Sequence, residues 1–461
     1  MTTLIRSAKL ALHKFECRAK PSLGSNHPGR ILPLLLICGL LTGCAELQSF
    51  LGFNQPPLRL EVEPQETVQT HGFYLSGEDS VVGRLATVPI GEDDTLLDLA
   101  RHFGLGYQQI AEANPDIDPW IPYPGQRIVL PLQFILPDAP RTGVVINLAS
   151  MRLFYFTGDK RHPSVSTWPI GIGREGRSTP MGAMAVVRKT EHPTWYVPDS
   201  IRRTHAEQGD PLPAVVPPGP DNPLGDYALY LSRPSYLIHG TNKPFSIGLR
   251  ASNGCVRLYP EDIARAFKEI SVKTPVVVVN QPYLLGWLDH TLYLEAHQPF
   301  EEIDVKQAKA NLAAKLRQIG KKDPHKLDWP RIEETLKQAR GIPVPIFEGT
   351  ESLKDLLAAA AELQHPDHLN GQPTDAGLPQ TGWLLRTAET HDEYWVRRLA
   401  AQLNHLGPRI PAHMVTHNRR HRLVAGPFVA EKDALKAQAI ISEDFRTQTE
   451  LAKAVRRVGW N

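Results

Sequence analysis

The residues best suited to chemistry lie in the stretch 238–263, IHGTNKPFSIGLRASNGCVRLYPEDI. Cys255 is the only cysteine after position 44, and it sits in Ser252-Asn253-Gly254-Cys255-Val256-Arg257. A lone cysteine is commonly a small buried hydrophobe, but these neighbours favour a nucleophile. Glycine before the thiol permits a tight turn and close approach of a substrate. The N–H groups of Gly254 and Cys255 would then face an oxyanion developing on the attacked carbonyl. A free thiol, with a pKa of about 8.5, is only slightly ionised at neutral pH, so a base is required. His239, sixteen residues upstream in IHGTN, is expected to meet Cys255 across neighbouring strands and to raise its thiolate fraction. No Asp or Glu lies between 238 and 258 to hold the other imidazole nitrogen. A main-chain carbonyl, of Ser252 or Asn253, is therefore the expected orienting group. Arg257, two residues beyond the thiol, falls on the same face of a continuing strand and could grip a substrate carboxylate through paired hydrogen bonds.

The elements that must position these residues belong to a chain of 461 residues, too long for one ordinary core. Lys plus Arg (51) nearly balance Asp plus Glu (49), for a net charge of +2, which argues against a general nucleic-acid binder. Forty-one prolines point to a loop-rich architecture. Near the N-terminus Arg18, Lys20 and Arg30 precede an apolar run, 31–41, that is too short to span a bilayer and reads as an export signal. It ends in Leu41-Thr42-Gly43-Cys44, which resembles the bacterial lipobox. The resemblance implies cleavage before Cys44, lipidation of that cysteine and, with Ala-Glu following, sorting to the outer membrane. Cys17 and Cys38 would leave with the signal, and Cys255 would stand unpaired in an oxidising compartment.

The reading is multidomain: 1–43 signal peptide, 44–80 tether, then a small βααβ unit over 81–132. In that unit Leu96, Leu99, Ala100 and Phe103 form one helical stripe after Asp93 and Asp94, and Asn114-Pro115 closes a second helix. This pattern resembles the lysin motif, a peptidoglycan-binding module. From 139 to 280 short alternating runs separated by Gly and Pro indicate a mainly β, sandwich-like domain, with one clear helix opening at Pro260. Residues 281–364 read as a β-tail and helical spacer, with Ile303, Leu312, Leu316 and Ile319 as a thin apolar stripe and no assignable chemistry. A linker over 365–380 leads to an α/β unit, 381–461. There Trp395, Leu399, Leu403 and Leu406 mark a helix, and two strands pair around a turn at Asn418. Its β-α-β-β-α order resembles the sporulation-related repeat, which binds glycan strands stripped of peptide; a generic ferredoxin-like module fits equally.

Other residues draw plainer readings. His365 and His368, like His417 and His421, lack supporting ligands and are expected to be solvated loop histidines, so no metal is assigned. Arg419, Arg420 and Arg422 form either a solvated hairpin edge or a polysaccharide-binding face. Trp195, Tyr230 and Tyr236 could stack on substrate but suit a β-domain core as well.

The segments HGTN and SNGCVRL, with 170–182 (IGIGREGRSTPMG) and 215–225 (VVPPGPDNPLG), resemble the L,D-transpeptidase catalytic domain of Gram-negative bacteria, over about 87–297. Asn253 stands where many members carry His or Ser. The resemblance implies Cys255 as nucleophile and His239 as proton acceptor and donor, with Arg257, Gly240, Thr241 and Tyr236 binding substrate. It implies a stem tetrapeptide as donor, loss of D-Ala, an acyl-thioester, and transfer to a diamino-acid amine as a three-to-three cross-link or to a lysine of an outer-membrane lipoprotein. Water as acceptor would make a carboxypeptidase, and a degenerate domain would leave a non-catalytic wall tether. No cofactor is implied. The expected partners are peptidoglycan stem peptides and glycan strands, in the periplasm, with a lipid anchor to the membrane.

Overall fold

The computed structural model describes residues 71–77, 79–92, 94–158, 161–207, 211–369 and 382–454. The export signal, Cys44, most of the tether and Asp93 lie outside the described residues, as do positions 370–380 of the expected linker.

The region 139–280 is built on a nine-stranded sheet. Its order is Gly72–Tyr74, Ser164–Pro169, Arg152–Thr157, Gly143–Asn147, Pro275–Val279, Gly182–Glu191, Tyr227–Leu231, Leu237–His239 and Val256–Arg257. Gly182–Glu191 serves both halves: its first residues pair with Pro275–Val279 and its last with Tyr227–Leu231, with a bulge between Val186 and Arg188. Bulges sharpen twist and bend a strand. The two halves accordingly face one core, where Val144, Ile146, Leu153, Trp168, Val276 and Val278 meet Val186, Leu229, Ile238 and Val256. The expected sandwich is one sheet folded on itself. Pro260–Glu269, with proline in its first turn, closes the core through Ile263 and Ala266.

The lysin-motif-like unit forms as expected, with a different start signal. Thr95 caps the helix Leu96–His102 and exchanges bonds with Asp98, while Asp94 instead accepts from Gly91 N–H at 2.8 Å. A second helix, Tyr107–Ala113, and the antiparallel strands Ala86–Pro89 and Arg127–Leu130 complete it. Its core runs without a break into the large sheet, joining Leu96, Leu99 and Ile128 to Val145, Phe154, Phe156 and Val165.

Of the packing and spacer roles open to the helical part of 281–364, packing is what the fold shows: the hairpin Tyr283–Leu288 and Thr291–Ala296 packs with helices Val305–Gly320 and Trp329–Gln338 around Leu292, Leu294, Leu312, Leu316, Ile332 and Phe347. The thin stripe is half of a core whose other half lies in distant sequence. The first residues of the expected linker are docked, with His365 Nε2 2.6 Å from Asp94 Oδ2 and Leu369 buried, so His365 is not a solvated histidine.

His297 ties these layers together. Its Nε2 lies 2.7 Å from Glu295 Oε1, and its Nδ1 lies 3.9 Å from Glu112 of the lysin-motif-like unit. Burial disfavours the charged ring, but the two carboxylates outweigh it and raise the imidazole to about 9. An unfolded histidine titrates near 6.5, so this stabilisation is complete below that pH and is lost as pH climbs through about 9. Denaturant titrations should show stability falling by about 3 kcal/mol across that window. His297→Gln should be less stable at neutral pH and flatten the decline; an unchanged slope would remove the histidine as its source.

The C-terminal unit is a four-stranded antiparallel sheet ordered Ala412–His417, Arg420–Phe428, Gly382–Arg386 and Glu450–Ala454, with helices Glu393–Asn404 and Glu431–Phe445. The hairpin turns at Asn418-Arg419, both with positive φ, a backbone that suits a two-residue turn. The His417 and His421 rings bond the neighbouring Asn418 and Thr416, and the His421 main chain pairs with Thr390. The final strand has no counterpart in the expected order. Helix Glu393–Asn404 docks on the lysin-motif-like unit through His405, whose Nε2 lies 2.7 Å from Asp98 Oδ1, both side chains buried.

Candidate active site

Leu237–His239 and Val256–Arg257 are the last strands of the nine-stranded sheet. They run parallel, with Ile238 opposite Val256 and His239 opposite Arg257. Ile238 and Val256 enter the core, so alternation sends His239, Arg257 and Cys255 to the other face. Cys255 and His239 are thus diagonal neighbours on adjacent strands, one residue pair apart, with Arg257 beside both.

The turn that presents the thiol is tightly held. Gly254 has φ +108°, and a side chain there would meet Tyr236 Cε1 at 2.8 Å. Ser252 Oγ accepts from Gly254 N–H at 3.1 Å and donates to the Cys255 carbonyl at 2.6 Å. Arg174 braces the same turn from the loop after Ile172–Gly173: its N–H reaches the Ser252 carbonyl at 3.0 Å and its Nη2 reaches Asn253 Oδ1 at 3.2 Å. Of the two N–H groups expected to serve an oxyanion, that of Gly254 is therefore already engaged, which leaves that of Cys255. The thiol donates weakly to the Ser235 carbonyl, at 3.6 Å, and the residue is half-buried rather than sealed off.

The groups around the imidazole differ from expectation. Ser252 and Asn253 hold the cysteine turn, whereas the main chain of Gly240 and Leu224 flanks the His239 ring. Leu224 arrives because Gly225, at φ +65°, lets its loop lie against Gly240 and Thr241, where a Cβ would stand 2.9 Å from Thr241 N. Neither neighbour makes a hydrogen bond of normal geometry to Nδ1, which is buried without a partner. Burial, and then the Arg257 charge, outweigh the favourable backbone and drop the imidazole to about 3. Burial also pushes the Cys255 thiol up, against the opposing pull of the Leu237 backbone and Arg257. The resting pair is thus neutral thiol and neutral imidazole. These shifts run against the expectation that His239 raises the resting thiolate fraction, since dehydration of this face disfavours both charged forms.

Arg257 is half-buried and donates from Nη1 to Ser246 Oγ at 3.3 Å, while its main chain exchanges two 2.9 Å bonds with Gly171. Its Nε is buried without a partner, and among the described residues no carboxylate pairs with the side chain. A partly dehydrated cation of this kind would favour an incoming carboxylate. The other residues expected to bind substrate shape the site instead. Thr241 is buried and accepts from Lys243 N–H at 2.9 Å, and Gly240 is buried against Ile263 and the Leu224 carbonyl. Tyr236 is half-buried on the cysteine turn. Trp195 lies in a separate ribbon with Val215–Val216, and the Tyr230 ring carries the Arg188 guanidinium at 3.6 Å. Sequence reasoning missed Ser246, Arg174 and Leu224. All three lie inside the motifs given above, but nothing in their spacing marked the contacts they make. Among the described residues, no group of three or more His, Cys, Asp or Glu side chains is placed to hold a metal ion.

Comparison with known proteins gives two family matches: the L,D-transpeptidase catalytic domain over residues 141–278 and the LysM domain over residues 90–131. "Probable L,D-transpeptidase ErfK/SrfK" of Salmonella typhimurium is 39% identical over 283 residues, covering 59% of this chain and 90% of its own length. "Probable L,D-transpeptidase YbiS" of Escherichia coli is 38% identical over 281 residues, covering 60% of this chain and 89% of its own. "Probable L,D-transpeptidase YcfS" of Escherichia coli is 37% identical over 254 residues, covering 54% and 79%. The aligned stretches thus take in most of each relative and leave some two-fifths of the present chain outside.

Proposed function

Because the chain belongs to the L,D-transpeptidase family, we propose that it cross-links peptidoglycan through an acyl-thioester on Cys255. The observation that carries this reading is the parallel pairing that sets Cys255, His239 and Arg257 on one face. The substrate is a stem tetrapeptide, attacked at the carbonyl that joins its diamino acid to the terminal D-Ala. As the sulfur–carbon bond forms, the neutral imidazole of His239 takes the thiol proton, and it passes that proton to the departing D-Ala amine. The Cys255 N–H faces the transient oxyanion. An amine of a second stem then attacks the thioester and gives its proton to His239, and the sulfur leaves and regains a proton. One amide replaces another, so no energy-rich co-substrate is needed. The unpaired Arg257 guanidinium suits a carboxylate of the stem.

The wider setting belongs to the same proposal. Export, lipidation of Cys44 and outer-membrane anchoring follow the N-terminal motif, and a lipoprotein lysine is a second acceptor. The lysin-motif unit holds peptidoglycan. The C-terminal unit, read as a ferredoxin-like sporulation-related repeat, binds glycan strands. Its support is the β-α-β-β-α-β order and an open cleft of about 630 Å³ lined by Arg386, Arg420 and Arg422, with Glu389 and Glu450 beside them. The test is the intact mass of enzyme quenched during turnover of a tetrapeptide stem. A stem-minus-D-Ala adduct on Cys255, with dimers formed as D-Ala appears, is the expected result. Tripeptide alone, in the presence of excess amine, would replace transpeptidation by hydrolysis. No adduct on Cys255 would overturn the acyl-enzyme. In protein recovered from cell membranes, an N-terminal peptide without acyl chains on Cys44 would remove the anchor.

A further inference from the structure

The loop 240–248, which follows His239, is gripped from two sides. The lysin-motif unit supplies Tyr107 N–H to the Ile247 carbonyl at 3.1 Å. There the Gly106 and Gly248 backbones touch so closely that a side chain on Gly248 would overlap the Tyr107 nitrogen. The C-terminal unit grips the other side. Gly407 N–H donates to the Asn242 carbonyl at 2.8 Å, and Lys243 Nζ lies 2.6 Å from Asp444 Oδ1. The Phe245 ring sits 6.0 Å from that of Phe445 and packs against the C-terminal core. The next residue, Ser246, accepts the Arg257 guanidinium.

We infer that the C-terminal unit is a positioning element of the transpeptidase site: by holding Phe245 it fixes Ser246, and through Ser246 it fixes the Arg257 guanidinium beside Cys255. A module free on a linker would leave the loop to the catalytic domain alone. Here a half-buried aromatic contact, a backbone bond and an ion pair from the same unit converge on four consecutive residues, 242–245. Phe245, Phe445 and Ser246 are positioning residues, since none reaches the reacting atoms. The inference rests on Cys255 as the nucleophile.

The test uses the full chain and reads the thiol without substrate, as the rate of Cys255 alkylation by iodoacetamide across pH. A guanidinium fixed beside the sulfur favours thiolate, so its displacement slows alkylation at a given pH. Phe245→Ala, Phe445→Ala and Ser246→Ala should each slow alkylation at about pH 8 by roughly three- to tenfold. The Phe245→Ala/Phe445→Ala pair should be no slower than the worse single change, because both remove one contact. Phe245→Leu should restore most of the rate, and turnover should fall in parallel. Where Phe245→Ala melts below the assay temperature, Lys243→Glu, which opposes Asp444 with like charge, gives the same reading. A folded Phe245→Ala or Phe445→Ala chain that alkylates within about twofold of the parent, while Ser246→Ala is slow, would overturn the inference. Cross-linking by a Cys255→Ala chain would instead overturn the nucleophile, whereas the alkylation rates of the loop variants would still decide whether the C-terminal unit positions Arg257.

Discussion

Replacing Cys255 by alanine is expected to abolish D-Ala release from tetrapeptide stems, a loss of at least about a thousandfold in kcat/KM. In the proposed mechanism the sulfur forms the bond to the acyl group, and among the described residues no second cysteine is present to take over. The Cys255 thiol meets only main-chain groups, of Ser235 at 3.6 Å and of Leu237, among the bonds described, so the substitution breaks no side-chain network. The melting temperature should therefore stay within a few degrees of the parent's, separating lost chemistry from lost fold. Liquid chromatography of released D-Ala, run beside a thermal melt, checks both. Residual release above about a hundredth of the parent rate would point to a different nucleophile.

The second large effect is at His239. Changing it to alanine should cost about a hundred- to ten-thousandfold in kcat/KM, the usual range for a positioned general base. The pH profile should be equally telling. A solvated histidine base would give an acid limb near 6.5. Here burial and Arg257 hold the imidazole neutral down to about 3, while burial holds the thiol above its ordinary value. The parent kcat/KM should therefore show no histidine limb between about pH 5 and 7 and should rise on the alkaline side as the thiol ionises. Arg257→Gln removes the charge that depresses the imidazole, so a histidine limb should appear at higher pH than in the parent. A parent profile with a clear break near 6.5 would mean that the ring is solvated in the working enzyme.

What the amino-acid sequence made legible was mostly local. Gly254 before Cys255, alternation in the flanking strands, the apolar stripe of Leu96–His102 and the turn at Asn418 each follow from contacts a few residues apart. The hidden features depend on segments that sequence spacing does not bring together. The Val186–Arg188 bulge folds the sheet, but nothing in the alternation there marks a fold. Leu224 reaches His239 because a loop fifteen residues upstream turns back at Gly225. The stripe of Leu312 and Leu316 looked thin because Leu292, Leu294 and Phe347 complete its core. Asp98 and His405 are 307 positions apart, and each alone reads as an ordinary polar residue on a helix. The protonation of Cys255 and His239 was hidden for another reason: sequence proximity identifies the partners but not the loss of solvent that disfavours both charged forms.

The continuous core that joins Leu96 and Ile128 to Val145 and Phe154 has a mechanical meaning. A wall-binding module on a loose leash would let the thiol sweep a wide area around its mooring. Fused as it is here, the module would serve the proposed reaction like the fixed jaw of a calliper, with any strand it held kept at one set distance and angle from Cys255. Bonds made by this chain should therefore recur at regular intervals from the point of grip.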